Sequence, residues 1–473
     1  MSTPTHLPPP ETVSKRKLDL TCIVLVLGAS TTLLDTTIVN LALDHLSKVF
    51  DSSVSQTQWV VTGYLLAYVS VIPLSGWVSE RFGARNTWMF AVSVFLIGSI
   101  LCGLAGSLPE LIAFRILQGI GGGMVMPITM SILARAAGPE RIGKAMMAVG
   151  LPSVLAPILG SVLGGVILES LSWHWLFFIN VPICLAALVL GPIMLPANAG
   201  QRGQELDVIG FLFLTPGVIA IAYGIGEISG EDGFAAITAW LPLTAGVVLI
   251  SAFVVHSLRA RRPALIDVRV FGRRSFGLSS LITFMSRFSV YALMFVLSLF
   301  YQQVRGESVL ATGLFVARKW VAGLDARIVV AGGVVLTMIG IVPFALADSE
   351  GGSILLSVGL IVQDFGAGAG MFPVMALALS GLGHAETPSG TAAFSVVQRV
   401  GAPFGVAIIA VIFTTLLGNG QGPSSALAAF SGTFWWIFGL SAIPFLLALF
   451  LPTQSTSNEA KLAPPELIDT SEK

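Results

Sequence analysis

Hydrophobic residues in this chain come in blocks rather than in stripes or alternation. The first long apolar run covers about 18–43, and twelve more follow between about 57–76 and about 430–451, separated by short polar loops. A helix needs about twenty apolar residues to cross a hydrocarbon core of about 30 Å. The pattern therefore predicts thirteen clear spanning helices. Between Val309 and Leu324 about sixteen further residues remain, roughly 24 Å of helix, with Arg318 and Lys319 near the middle. This stretch is read as a short, distorted tenth helix, with a re-entrant segment or a deletion as the alternatives.

Composition agrees with the blocks. The chain has 473 residues, 55% of them hydrophobic and only 11% charged, with a mean hydropathy of +0.88, whereas soluble domains carry about 25% charged residues. Net charge is zero, which gives no reason to expect a nucleic-acid partner. Its distribution says more. Arg81 and Arg85, Arg135, Arg141 and Lys144, Arg202, and the group from Arg259 to Arg274 fall in alternate loops. The positive-inside rule places those loops in the cytoplasm, together with the tail 1–17, which ends in Lys15-Arg16-Lys17; with the short tenth helix crossing, the polar, disordered tail 454–473 lies there too. Cys22, Cys102 and Cys184 sit inside apolar runs without pairing or ligand spacing. Neither a metal centre nor a nucleophile–base set is found, so no cofactor is expected and an enzyme is the least favoured class.

The two halves echo each other. Gln118-Gly119-Ile120-Gly121-Gly122-Gly123 resembles Gln363-Asp364-Phe365-Gly366-Ala367-Gly368, and the loop from Gly76 to Arg85 has a weaker echo in Trp320 to Arg327. Internal repeats of this kind build many secondary transporters. The expectation is an all-α membrane protein with an N-terminal six-helix bundle at 18–200, an inserted helix pair at 201–262 and a C-terminal bundle at 263–453, about fourteen helices in all.

Candidate chemistry is carried by polar residues stranded in the apolar blocks. Asp35, in Leu34-Asp35-Thr36-Thr37, is one; an acid at the centre of a span costs about 2.5–3.5 kcal/mol and usually faces a protein interior, where such residues often carry ions or protons. It reads either as a proton-binding carboxylate or as a structural acid paired with another helix. Arg115 is permanently charged and needs an acid, carbonyls or water; Gln118, three residues on, shares its helix face. Gly76, Glu80, Arg81, Gly83 and Arg85 form a tight charged loop, either a conformational latch or simply a solvated turn. Pro157, Gly160, Gly164 and Gly165 make a small-residue stripe suited to a hinge or to close helix packing. Gln58, Tyr64, Gln118, Glu227, Arg287, Asp364 and Gln398 are candidates to line a substrate path, with Arg399 beside them. Asp364 is the favoured second acid, a structural pair with Arg287 or Arg399 being the alternative. Trp59, Phe284, Phe288, Tyr291 and Phe394 either line that path or pack helices.

Together, Leu34 to Asn40, the Gly76 to Arg85 loop, Arg115-Ile116-Leu117-Gln118-Gly119, the Pro/Gly-rich fifth span and Trp173-His174-Trp175-Leu176-Phe177-Phe178-Ile179-Asn180-Val181-Pro182 resemble the fourteen-helix drug:proton antiporters of the major facilitator superfamily. The resemblance implies a major-facilitator-type fold in the inner cell membrane, with both termini cytoplasmic and the chain acting as a monomer in the lipid bilayer. It implies a small-molecule substrate, with hydrophobic or cationic compounds exported against inward-moving protons. It casts Asp35 as the proton-coupling acid, Arg115 as its buried arginine and the Gly76 to Arg85 loop as the gate. The chain departs from the pattern with Glu80 in place of Asp, Ser161 in place of Pro after Gly160, and the short 309–324 segment. Other readings are a narrow exporter of one metabolite and a transport-inactive membrane sensor.

Overall fold

A computed structural model describes residues 14–197, 200, 205–228, 237–260, 264–300, 326–346, 353–380, 382–383, 386–418 and 423–451. The short 309–324 segment and most of the loop echo at 320–327 lie outside the described residues. All regular structure among the described residues is helical: α1 (Lys15–Leu41), α2 (Leu43–Val49), α3 (Val54–Phe82), α4 (Ala84–Gly103), α5 (Leu108–Ser170), α6 (Trp175–Phe178), α7 (Asn180–Met194), α8 (Val208–Ile228), α9 (Ile237–Arg259), a 3-10 turn (Val268–Gly272), α10 (Arg274–Phe300), α11 (Ala326–Ala345), α12 (Ser353–Ser380), α13 (Thr387–Gly418) and α14 (Pro423–Leu449).

Local signals set the helix ends. Ser53 and Gln56 form a reciprocal capping box at the start of α3, each accepting from the other's backbone N–H at 3.2 Å. Ser107 caps α5 by accepting from the Glu110 backbone. Gly83, at φ 87°, makes the turn from α3 into α4, a conformation that disfavours any side chain. Ten of the helices are long and apolar enough to cross a membrane. The three other runs predicted from the sequence also lie on helices: the second part of α5, α8 with its apolar stretch Val208–Gly224, and α13.

α5 is one continuous helical range of 63 residues, which would be about 95 Å long if straight. It is not straight. Gln118 bonds Asp35 of α1, while Gly160 packs on Thr37 and the Leu34 carbonyl of the same helix. Those two positions would lie about 63 Å apart on a straight rod, so α5 doubles back and makes two passes. Between those two contacts the sequence carries Gly138-Pro139 and the basic residues Arg135 and Arg141, as two separate spans require.

The two halves share a packing scheme. In the first, Gly98 of α4 presses on the backbone of Gln118, and Gly121 meets Phe95 and Ala91; in the second, Gly340 of α11 presses on Gln363, and Gly366 meets Thr337 and Gly333. The second pass of α5 approaches α1 at Leu34 and Ile38 through Gly160 and Gly164, just as α13 approaches α10 at Phe284 and Phe288 through Gly401 and Gly405. Gly165, predicted to belong to that stripe, meets nothing within 4 Å. It is not part of the contact, because it lies one helical step off the packed face.

α3 packs on α13, and α5 on α12 and α13, which joins the halves. α8 and α9 pair with each other, and α8 lies against both α3 and α13. Its Thr215 hydroxyl donates to the Ser70 carbonyl at 3.2 Å, and Tyr223 stacks on Trp59. Outward faces are apolar, as at Ile193 and Leu241, 73% and 70% exposed, which suits lipid rather than water.

Candidate functional site

Asp35 lies on the inward face of α1 and is completely buried, as are Ser99, Gln118 and Asn180; Arg115 is 1% exposed. Four helices bring them together. Arg115 Nη1 donates to Asp35 Oδ2 at 2.5 Å and to Gln118 Oε1 at 2.5 Å, while its Nε donates to the Val60 carbonyl at 3.2 Å. Gln118 Nε2 donates to Asp35 Oδ1 at 2.8 Å and to Ser99 Oγ at 2.7 Å. Asn180 Nδ2, at the start of α7, donates to Asp35 Oδ1 at 3.1 Å. The guanidinium also lies over the Tyr64 ring, with Cζ 4.1 Å from its centroid, and 5.8 Å from that of Phe177.

The sequence builds this closeness through its glycines. A Cβ on Gly119 would stand 2.5 Å from the Tyr64 carbonyl, and one on Gly98 2.7 Å from Gln118 Cα. Bare backbone at these two points lets α5 touch α3 and α4, and so carries Arg115 and Gln118 to the carboxylate.

Electrostatically, the pair is an ion pair removed from water, which survives only when the remaining polar atoms are also met. Here both carboxylate oxygens are. Three donors face Asp35 and all come from side chains, so each can turn away without breaking a helix. Protonating the carboxyl would convert an acceptor into a donor and leave Arg115, which cannot release its own proton, without its counter-charge.

The loop residues lie at the end of α3 and the start of α4. A Cβ on Gly76 would come within 3.1 Å of the Pro388 carbonyl in the first turn of α13, so this end of the first half touches the second. Half-buried Glu80 is close enough for its charge to act on Arg135 of α5, Arg81 touches Gly200 through its carbonyl, and Arg85 donates to the Pro192 carbonyl at 3.4 Å. Nearby, Arg273 and Glu386 form a 2.6 Å ion pair between the starts of α10 and α13.

The remaining candidates divide. Tyr64 and Gln118 join the buried network. Gln58 is exposed, one turn into α3, and is not the buried polar residue its apolar neighbours implied, because the run there is already at a helix end. Arg287 and Gln398 are half-buried on α10 and α13. Pro157, Glu227 and Asp364 fall on α5, α8 and α12, and their side chains lie outside the described residues. Phe394 is in the core against Phe276, and Phe284 packs on Phe404, so these rings join helices. Ser99 and Asn180 were not anticipated as partners of Asp35. Asn180 stood in a quoted motif, whereas Ser99 gave no signal, being a small hydroxyl in an apolar run.

Comparison with known proteins agrees with this geometry. Residues 25–324 match the model of the Major Facilitator Superfamily. A Mycobacterium tuberculosis protein named "Multidrug resistance protein B homolog" is 32% identical over 407 residues, covering 83% of this chain and 75% of that one. The Escherichia coli "Putative multidrug resistance protein MdtD" is 33% identical over 281 residues, 59% of each chain. Among solved structures, the human organic anion transporter MFSD10 aligns with a TM-score of 0.62 at 15% identity, covering 91% of this chain and 99% of that one. The proton:xylose symporter XylE aligns with a TM-score of 0.61 at 16% identity, covering 93% and 96%; at such identities these two likenesses speak to fold alone. A repeat-built helical membrane fold, a buried charge network in its first half and a family match over most of its length converge, and the chain belongs to the major facilitator superfamily of membrane transporters.

Proposed function

We propose that this transporter exports hydrophobic compounds in exchange for protons entering across the inner cell membrane, working as a monomer with both termini in the cytoplasm. The observation that carries the reading is the buried Asp35–Arg115 pair, whose carboxylate is held only by side chains. Proton arrival at Asp35 releases Arg115 and Gln118 from one carboxylate, and these sit on the pass of α5 that also packs on α3 and α4. Loss of the ion pair is thereby felt by several helices at once, which is what coupling a proton to a change of access requires. The Gly76 to Arg85 loop, touching α13 at one end of the molecule, is the contact to be broken and remade as the halves rock. Gly160 and Gly164, pressed on α1 beside Asp35, keep the proton from leaking along that seam. The relatives named for multidrug resistance support a hydrophobic substrate, and the alternation of basic loops supports the orientation.

The test is efflux from vesicles under an imposed pH gradient, comparing the chain with Asp35→Asn. Gradient-driven efflux is expected to disappear while the variant remains folded and monodisperse. Equal uphill efflux by both proteins would remove Asp35 from the coupling role.

A further inference from the structure

A second buried arginine lies across the junction between the halves. Arg399 sits about 18 Å along α13 from its first residue, at a depth where a guanidinium is costly and is normally matched by an acid. Arg115 has such a match. Arg399 does not: its guanidinium lies over the ring of Tyr68 on α3, with Cζ 4.2 Å from the centroid, and no carboxylate among the described residues pairs with it. A ring face gives a cation about 0.5–2 kcal/mol, well short of a counter-charge. Arg287 adds a charge of the same sign, near enough to act on Arg399, and Tyr291 stands beside both. The group remains within reach, since Arg399 is only half-buried and Tyr291 is 42% exposed. Beside Tyr68, Tyr64 is fully buried and its hydroxyl has no hydrogen-bond partner among the described residues; the two rings are 5.9 Å apart.

We propose that Arg399 is the anchor of a substrate site for amphiphilic aromatic anions. A planar carboxylate or a sulfonate meets the fork of the guanidinium with charge-assisted hydrogen bonds, while an aromatic body lies against the exposed ring of Tyr291. A cationic compound would meet repulsion from Arg399, so the site selects against the cations that the family resemblance implies. The proposal rests on the export reading for the direction of movement, but not on the role of Asp35. The anion can come from the aqueous phase or from an anionic lipid headgroup, since both present the same chemistry.

The experiment uses the full chain in phosphatidylcholine vesicles with three fluorescent probes of similar size: anilinonaphthalene sulfonate as the anion, ethidium as the cation and N-phenylnaphthylamine as the neutral compound. The wild type is expected to favour the anion over the cation. Arg399→Gln is expected to lose roughly tenfold or more of anion transport, as loss of hydrogen bonds to a charged group implies, with neutral transport kept, and Arg399→Lys to keep the charge preference. Binding of the same probes to detergent-solubilised wild type, read by thermal stabilisation, decides the matter if Arg399→Gln does not fold or if no probe is moved. Preference for ethidium, equal loss of all three probes in Arg399→Gln with unchanged folding, or no anion preference in binding would each overturn the proposal. Competition from phosphatidylglycerol in the vesicle assigns the anion to the lipid, and its absence assigns it to the aqueous phase; either supports an anion site. Failure of proton coupling would be read separately, as gradient-independent movement of every probe.

Discussion

The first half keeps Gln118 among Asp35, Arg115, Ser99 and Asn180, while the second half holds Gln363 in the same helical position with nothing to bond. Gln363 is fully buried, and among the described residues neither its Oε1 nor its Nε2 has a hydrogen-bond partner. The glycine contacts explain why. Where Leu34 precedes Asp35, Phe284 precedes Met285; where Ser99 follows Gly98, Ile341 follows Gly340; and Leu360 stands three residues before Gln363, as Arg115 does before Gln118. One packing scheme has been kept twice and its charge chemistry once. The glycines carry the helix contacts and the charges carry the buried network, and the two can be separated.

That difference is open to attack, first at the charges. Arg115→Gln leaves Asp35 buried without its cation, and breaking one side of such a pair costs about 3–5 kcal/mol; thermal unfolding in detergent should show a large drop. Adding Asp35→Asn to it should recover most of the stability without restoring gradient-driven efflux. If the single and double variants unfold alike, the pair is not an ion pair in the folded protein.

A smaller effect of opposite sign is expected at the two glutamines. Gln118→Leu strips donors from a satisfied network and should destabilise by about 1–3 kcal/mol. Gln363→Leu removes an unmatched buried amide and should leave stability unchanged or raise it by about 1 kcal/mol. Equal losses in the two variants would mean that Gln363 has partners after all, and the contrast between the halves would fall.

The smallest effect lies in neither half. Asp207, just before α8, accepts from the Gly210 and Leu265 backbone at 2.8 and 3.1 Å and contacts His256 Nε2 at 2.9 Å. Burial pushes its carboxyl up, but these hydrogen bonds together hold it below the ordinary carboxylate range. Since the folded group binds its proton more weakly than the unfolded one, the clasp is fully present above the ordinary carboxylate range. It is lost only as pH falls through the lower, folded value. Asp207→Ala should therefore cost about 1 kcal/mol at neutral pH and almost nothing in strong acid, as unfolding at two pH values would reveal.

Much of this was legible in the chain because a charge inside an apolar block is its own signal. Asp35 and Arg115 stand out on composition alone, and Gln118 follows from helical spacing. The thirteen apolar runs were legible for the same reason, the two passes of α5 among them, since each is a separate apolar block although the helical register between them is unbroken. Ser99 and Asn180 were not, since a small polar side chain in an apolar run reads the same whether it faces a carboxylate, a neighbouring backbone or nothing. Gln363 shows the converse limit: its repeat motif matches that of Gln118, yet the positions that would give it partners, two on other helices and one a turn earlier on its own, hold Met285, Ile341 and Leu360.

The inserted helix α8, lodged between α3 and α13, carries a mechanical consequence. A transporter of two facing halves has two lateral seams, and here one is already plugged by a segment of the same chain, fastened to α3 by Thr215 and Tyr223. Any tilt of one half against the other must shear that plug along α3 or α13, so friction is built into this flank of the molecule.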